Sequence, residues 1–259
     1  MRPAARKEKS TGKQIRRRMI PALLLAAVIL AWCLYTADYY RADAAALQAM
    51  ESNDIRITRT SYGWYFDGPS ETDALVFYPG GKVEETAYAP LLSLLAEKGI
   101  DVCLVKMPFH LAIFGANAAE RVMKEHSFDK WYIGGHSLGG AMAAAFAGKH
   151  DVNGVVLLAA YPIGPVEEPM LLLYGSEDGV LNRERLSAAA EYGSVEKHVL
   201  DGGNHAQFGN YGPQKGDGGP LITAEEQQDE TVRLILKWME YTEEKETGGN
   251  KNGIQETDH

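Results

Sequence analysis

The chain has 259 residues, 45% of them hydrophobic and 24% charged, which is enough to bury a sizeable core. Its net charge of −9 divides unevenly: residues 1–18 carry eight Lys/Arg against one Glu, a net of +7, leaving −16 on the remainder. An acidic body of this kind excludes nucleic-acid binding, which needs a basic face for phosphates. Its two cysteines, Cys33 and Cys103, exclude a disulfide framework and a zinc site.

The first element is residues 19–37, MIPALLLAAVILAWCLYTA, with no charged side chain. As a helix rising about 1.5 Å per residue it spans nearly 30 Å, one hydrocarbon core. The basic cluster before it stays cytoplasmic, which puts the acidic body outside. A cleaved signal peptide also begins basic and turns apolar. The run is long for a signal, however, and the nearest small-x-small site, Ala42-Asp43-Ala44, lies past its end. An uncleaved single-pass anchor is therefore preferred, with a secreted form as the alternative. Trp32 before Cys33 does not suit a lipoprotein signal, which wants a small residue there. The expected order is a basic cytoplasmic segment at 1–18, a transmembrane anchor at 19–37 and an Ala-rich helical stem at 38–53.

From Asp54 the pattern changes. IRITRT (55–60) and GWYFDG (63–68) read as an antiparallel pair of strands. DALVFY (73–78), DVCLVKM (101–107), WYIGG (131–135), GVVLLAA (154–160), MLLLYG (170–175) and EKHVL (196–200) are mostly short apolar runs suited to buried parallel strands. Helices are expected between them at 85–98, 112–125 and 138–150, then at 183–191 and 224–241. The alternation predicts an α/β domain over 54–243, with a mostly parallel, doubly wound sheet. Residues 244–259 are polar and are expected to form a disordered tail.

Ligands of such sheets bind beyond the carboxyl ends of the strands, and this selects the candidate residues. Ser137 stands between WYIGG and an Ala-rich helix, in the G-x-S-x-G pattern of Gly135 to Gly139. The glycines let strand turn sharply into helix and leave the hydroxyl exposed as a nucleophile. A serine needs a base; of seven histidines, His205 in LDGGNHAQFG follows the last strand, with His110 in MPFHLAIF as runner-up. The imidazole needs an orienting acid. Asp178 in YGSEDG is preferred, before Glu177 and then Asp201. The developing oxyanion needs backbone donors, each worth about 3 to 4 kcal/mol. The candidates are Leu138 and, from YPGGKV, Gly81 or alternatively Lys82.

With GGHSLGG, YGSEDG, GGNHAQFG and FYPGGKV in place, the chain resembles the α/β-hydrolase superfamily over residues 54–243. It looks most like small bacterial hydrolases of dienelactone-hydrolase or esterase type. The resemblance implies the α/β-hydrolase fold and a hydrolytic Ser137–His205–Asp178 triad. Pro79-Gly80 stands where many relatives have His-Gly, and Ser137 rules out the Asp and Cys nucleophiles of other branches. Only residues 161–169 separate two strands where larger relatives carry a lid, so an open site and short acyl groups are expected, with residues 206–220 as a partial roof. No sequence motif for a cofactor or metal is present. The function expected is a membrane-anchored serine hydrolase acting on small-molecule or lipid-like esters; the alternative is a catalytically silent scaffold domain.

Overall fold

Eight strands form one sheet in the computed structural model, which describes residues 8–52, 54–69 and 72–251. They are β1 (Arg56–Arg59), β2 (Gly63–Asp67), β3 (Asp73–Tyr78), β4 (Asp101–Val105), β5 (Lys130–His136), β6 (Gly154–Leu158), β7 (Met170–Gly175) and β8 (Val195–Leu200). Their order is β1-β2-β4-β3-β5-β6-β7-β8. β1 and β2 pair antiparallel, β2 also runs antiparallel to β4, and every later pairing is parallel. This is the α/β-hydrolase fold with the mostly parallel sheet read from the sequence.

Alternate residues of the central strands feed two cores, one on each face of the sheet. Leu75 and Phe77 of β3 join Leu91, Leu92, Leu95, Ile235 and Trp238 on one side. Val76 and Tyr78 join Val122, Ala143, Ala144 and Phe146 on the other. The helices supplying these faces are α3 (Ala89–Glu97) and α7 (Ala224–Lys251) on the first side, and α4 (Ala119–Glu125) and α5 (Leu138–Ala147) on the second. α6 (Arg183–Ser187) adds Leu186 to the second core.

Several elements depart from expectation. The helix expected over 112–125 is interrupted: a 3-10 turn, Ala112–Phe114, is followed by Gly115 and then α4. The buried Tyr78 hydroxyl accepts the Ala119 N–H at 2.9 Å and so caps α4 from the sheet. The expected stem contains only one short helix, α2 (Ala44–Met50), capped by Asp43 and belonging to the same compact unit as the sheet. α7 runs on to Lys251, through part of the expected tail, where Glu244 and Lys245 are good helix formers. The rest of the tail, 252–259, and residues 1–7 of the basic segment lie outside the described residues.

The other compact unit, through Tyr39, contains helix α1 (Glu8–Ala37). Its stretch Met19–Ala37 is the one helix among the described residues long and apolar enough to cross a membrane. It has the length and hydropathy of a membrane anchor or a signal sequence.

Candidate active site

Ser137 sits between β5 and α5 with φ 52 and ψ −120. A residue with a Cβ is rarely held there, at a cost of about 1 to 3 kcal/mol. The turn is tight because two backbones nearly touch: a Cβ at Gly139 would stand 2.1 Å from the Tyr78 carbonyl oxygen, and one at Gly135 would stand 2.5 Å from it. The Ser137 N–H donates to the Leu158 carbonyl at 2.9 Å, fixing the turn to β6.

His205 follows β8 and is almost fully buried. Its Nδ1 lies 2.9 Å from Asp178 Oδ2. Asp178 follows β7, and its Oδ1 accepts the N–H groups of Val180 at 2.9 Å and Leu181 at 2.8 Å. Burial alone raises the Asp178 pKa, but the hydrogen bond and charge of His205 and these two N–H groups outweigh it and hold the carboxyl below its usual range. An ionised carboxylate only accepts, so the neutral imidazole carries its proton on Nδ1 and keeps a lone pair on Nε2. His205 Nε2 is buried without a hydrogen-bond partner.

Ser137 and His205 line one cavity of about 340 Å³ with Leu138, Met142, Tyr161 and Leu181. Residues between β6 and β7 form no helix, and Tyr161 and Ile163 from that connection line the cavity. The expected roof, 206–220, contributes nothing to the lining. It packs behind His205 instead, with Phe208 and Tyr211 buried. His110, the runner-up base, is also absent from the lining.

The two preferred oxyanion donors are adjacent: a Cβ on Gly81 would lie 3.0 Å from Leu138 Cδ2. Leu138 is the first residue of α5, where N–H groups have no intrahelical acceptor. The Lys82 N–H is taken up by the His110 carbonyl at 2.7 Å, which leaves Gly81 as the available donor of that loop. Glu177 accepts from the Ser176 hydroxyl at 2.9 Å rather than meeting His205, and Asp201 is exposed.

Three groups that sequence reasoning missed support the site. Asp217 Oδ1 accepts from Gly179 at 3.1 Å and from His205 at 3.2 Å, while Oδ2 accepts from Ala206 at 2.8 Å. Gln227, fully buried on α7, exchanges two 2.9 Å hydrogen bonds with the Asn204 backbone. His136, inside the G-x-S-x-G turn, packs its ring centroid 4.6 Å from that of His205. Its Nδ1 is 2.8 Å from the Tyr88 hydroxyl, which also accepts the Gly80 N–H at 3.0 Å. Burial, with the neighbouring His205 second, drives the His136 pKa well below its ordinary value, so it stays neutral beneath the second imidazole. Among the described residues no group of three or more His, Cys, Asp or Glu could hold a metal ion.

Residues 74–229 match the alpha/beta hydrolase family. No curated protein sequence matches the chain. Among solved structures, a dienelactone hydrolase from Anabaena variabilis is similar with a TM-score of 0.56 and 14% identity, covering 73% of this chain and 99% of that one. An alpha/beta hydrolase from the sediment metagenome of the Mar Chica lagoon, Morocco, gives a TM-score of 0.57 and 13% identity over 73% and 99%. An acylaminoacyl peptidase from Pyrococcus horikoshii gives 0.51 and 12% over 76% of this chain but 43% of its own.

Proposed function

The chain belongs to the alpha/beta hydrolase family, and from that premise we propose that it is a serine hydrolase cleaving carboxylic esters through Ser137, His205 and Asp178. The observation that carries the reading is the His205–Asp178 bond, with Nε2 of the same imidazole unpartnered and His205 lining one cavity with Ser137.

Ser137 Oγ attacks the ester carbonyl carbon while His205 Nε2 takes its proton. The carbonyl oxygen becomes an oxyanion beside the N–H groups of Leu138 and Gly81. Collapse expels the alcohol, which receives the proton from His205 and leaves an acyl-Ser137 ester. Water, deprotonated by the same imidazole, then attacks the acyl carbon; the carboxylic acid leaves and Ser137 regains its proton. Throughout, Asp178 fixes the tautomer and offsets the imidazolium charge. Residues 19–37 act as an uncleaved anchor with the hydrolase domain outside the cytoplasm, a reading supported by the apolar helix behind eight cations.

A fluorophosphonate probe tests the nucleophile. The full chain labels and Ser137→Ala does not; equal labelling of the two would overturn the assignment.

A further inference from the structure

The loop after β4 exposes Phe109, Ile113 and Phe114 by 51%, 51% and 50%. Its backbone is strained as well: Phe109 has φ 56 and His110 φ 54. The Lys82 N–H that holds the His110 carbonyl comes from a third such residue, with φ 59. Two strained residues thus share one hydrogen bond beside Gly81, and the third, Phe109, precedes His110 in the chain. Strain of this kind persists where surrounding structure enforces it and concentrates at ligand-handling sites. The turn Ala112–Phe114 packs on α5, the helix whose Leu138 and Met142 line the catalytic cavity. Ile163 and Val180 also line the cavity, and both are exposed. Apolar side chains therefore lie exposed both in the cavity lining, at Ile163 and Val180, and on the loop that packs on α5, where a water-soluble substrate would gain nothing from them.

The α/β unit begins at this same edge. Tyr40 bridges Val83, donates to the Lys82 carbonyl at 2.7 Å and accepts from Glu84 at 2.8 Å. The apolar stretch ends at Ala37. Only three residues, reaching at most about 10 Å, join Ala37 to Tyr40, so an anchor formed by 19–37 would tether the α/β unit on a short link.

We propose that this rim docks on a lipid bilayer and that the substrate is an ester resident in it, taken from the acyl-chain region directly into the cavity. The proposal rests on the hydrolase reading above for its chemistry, and on the rim for its substrate class. It sets bilayer-resident esters ahead of the short, soluble esters that the missing lid suggests.

The full chain is reconstituted into phosphatidylcholine vesicles with either plain or acyl-brominated lipid. The emission that Phe109→Trp adds to the parent's is expected to be quenched by roughly half or more in brominated vesicles, as for a side chain at the headgroup–acyl boundary. Phe109→Ser with Phe114→Ser lowers hydrolysis of a vesicle-borne palmitoyl ester about tenfold relative to p-nitrophenyl butyrate, as expected for two lost apolar anchors. Unquenched added emission, or an unchanged ratio, overturns the proposal. A blue shift without quenching overturns it in favour of a second copy of the chain on the rim. Quenching without hydrolysis of either ester leaves the docking standing and removes the hydrolase reading.

Discussion

The Asp217 carboxylate receives the backbone N–H of His205 at 3.2 Å, and the same oxygen receives the N–H of Gly179, the residue after Asp178. One side chain thus fastens the loop carrying His205 to the turn carrying Asp178. Asp217→Asn puts an amide N–H against N–H donors where both oxygens had accepted. The expected result is a kcat about tenfold lower with KM within about twofold, because the lost contacts orient the imidazole rather than bind substrate. Steady-state kinetics on p-nitrophenyl butyrate checks this; a raised KM at unchanged kcat would assign Asp217 to substrate binding instead.

Asp178→Asn makes a sharper test of the acid. Its amide would offer an N–H to His205 Nδ1, forcing the proton to Nε2 and removing the lone pair that accepts from Ser137. Such an exchange in a serine triad costs about 10⁴ in kcat with geometry intact. Glu177→Gln should leave kcat within about twofold, since Glu177 bonds Ser176 and not His205. Reversal of these two effects would make Glu177 the acid.

Much of the candidate site was legible because its residues stand just past strand ends. Ser137 and Asp178 follow short apolar runs and His205 follows the more polar strand VEKHVL, and the parallel order β5-β6-β7-β8 brings these strand ends to one edge of the sheet. What escaped has partners without a sequence signature. Asp217 grips backbone N–H groups, which every residue but proline possesses, and the flanking Gly216 and Gly218 announce only a tight loop. That the Lys82 N–H is taken by the His110 carbonyl depends on where a strained carbonyl points, which no motif shows. The break at Gly115 and the start of α4 at Ala119 depend on Tyr78, about forty residues away in sequence, and local propensity carries no trace of it.

His136 predicts a pH dependence of stability. Its folded pKa is well below 6.5 because burial, and then His205, oppose the charged form. In the unfolded chain the same group protonates near 6.5, so below that pH the unfolded state binds a proton that the folded state excludes. The stabilising contribution is complete above 6.5 and is lost as pH falls toward the folded pKa. Between pH 7.5 and 5.5 the parent should lose about 1 kcal/mol more than His136→Gln, measured by urea unfolding at each pH. His110, also shifted downward, is common to both proteins and cancels in the difference. Parallel pH curves for the two proteins would mean that His136 takes up its proton as readily in the fold as in the unfolded chain.

The elbow itself is tested by adding one carbon. Gly139→Ala would bring its Cβ to 2.1 Å from the Tyr78 carbonyl and 2.4 Å from that of Pro79, both backbone atoms at the end of β3. Neither can move without displacing Gly80 and Gly81, so relief must come from shifting α5 away from the sheet. Overpacking of this kind costs about 3 kcal/mol, and here the displaced elements carry Ser137, Leu138 and Gly81. Gly164→Ala, in the connection between β6 and β7, meets nothing within 4 Å and serves as its counterpart. Thermal unfolding and fluorophosphonate labelling should separate them: a lowered Tm with labelling largely lost for Gly139→Ala, and parental behaviour for Gly164→Ala. Full labelling of Gly139→Ala at parental Tm would mean that the close approach of α5 to β3 is not what holds Ser137 in its strained turn.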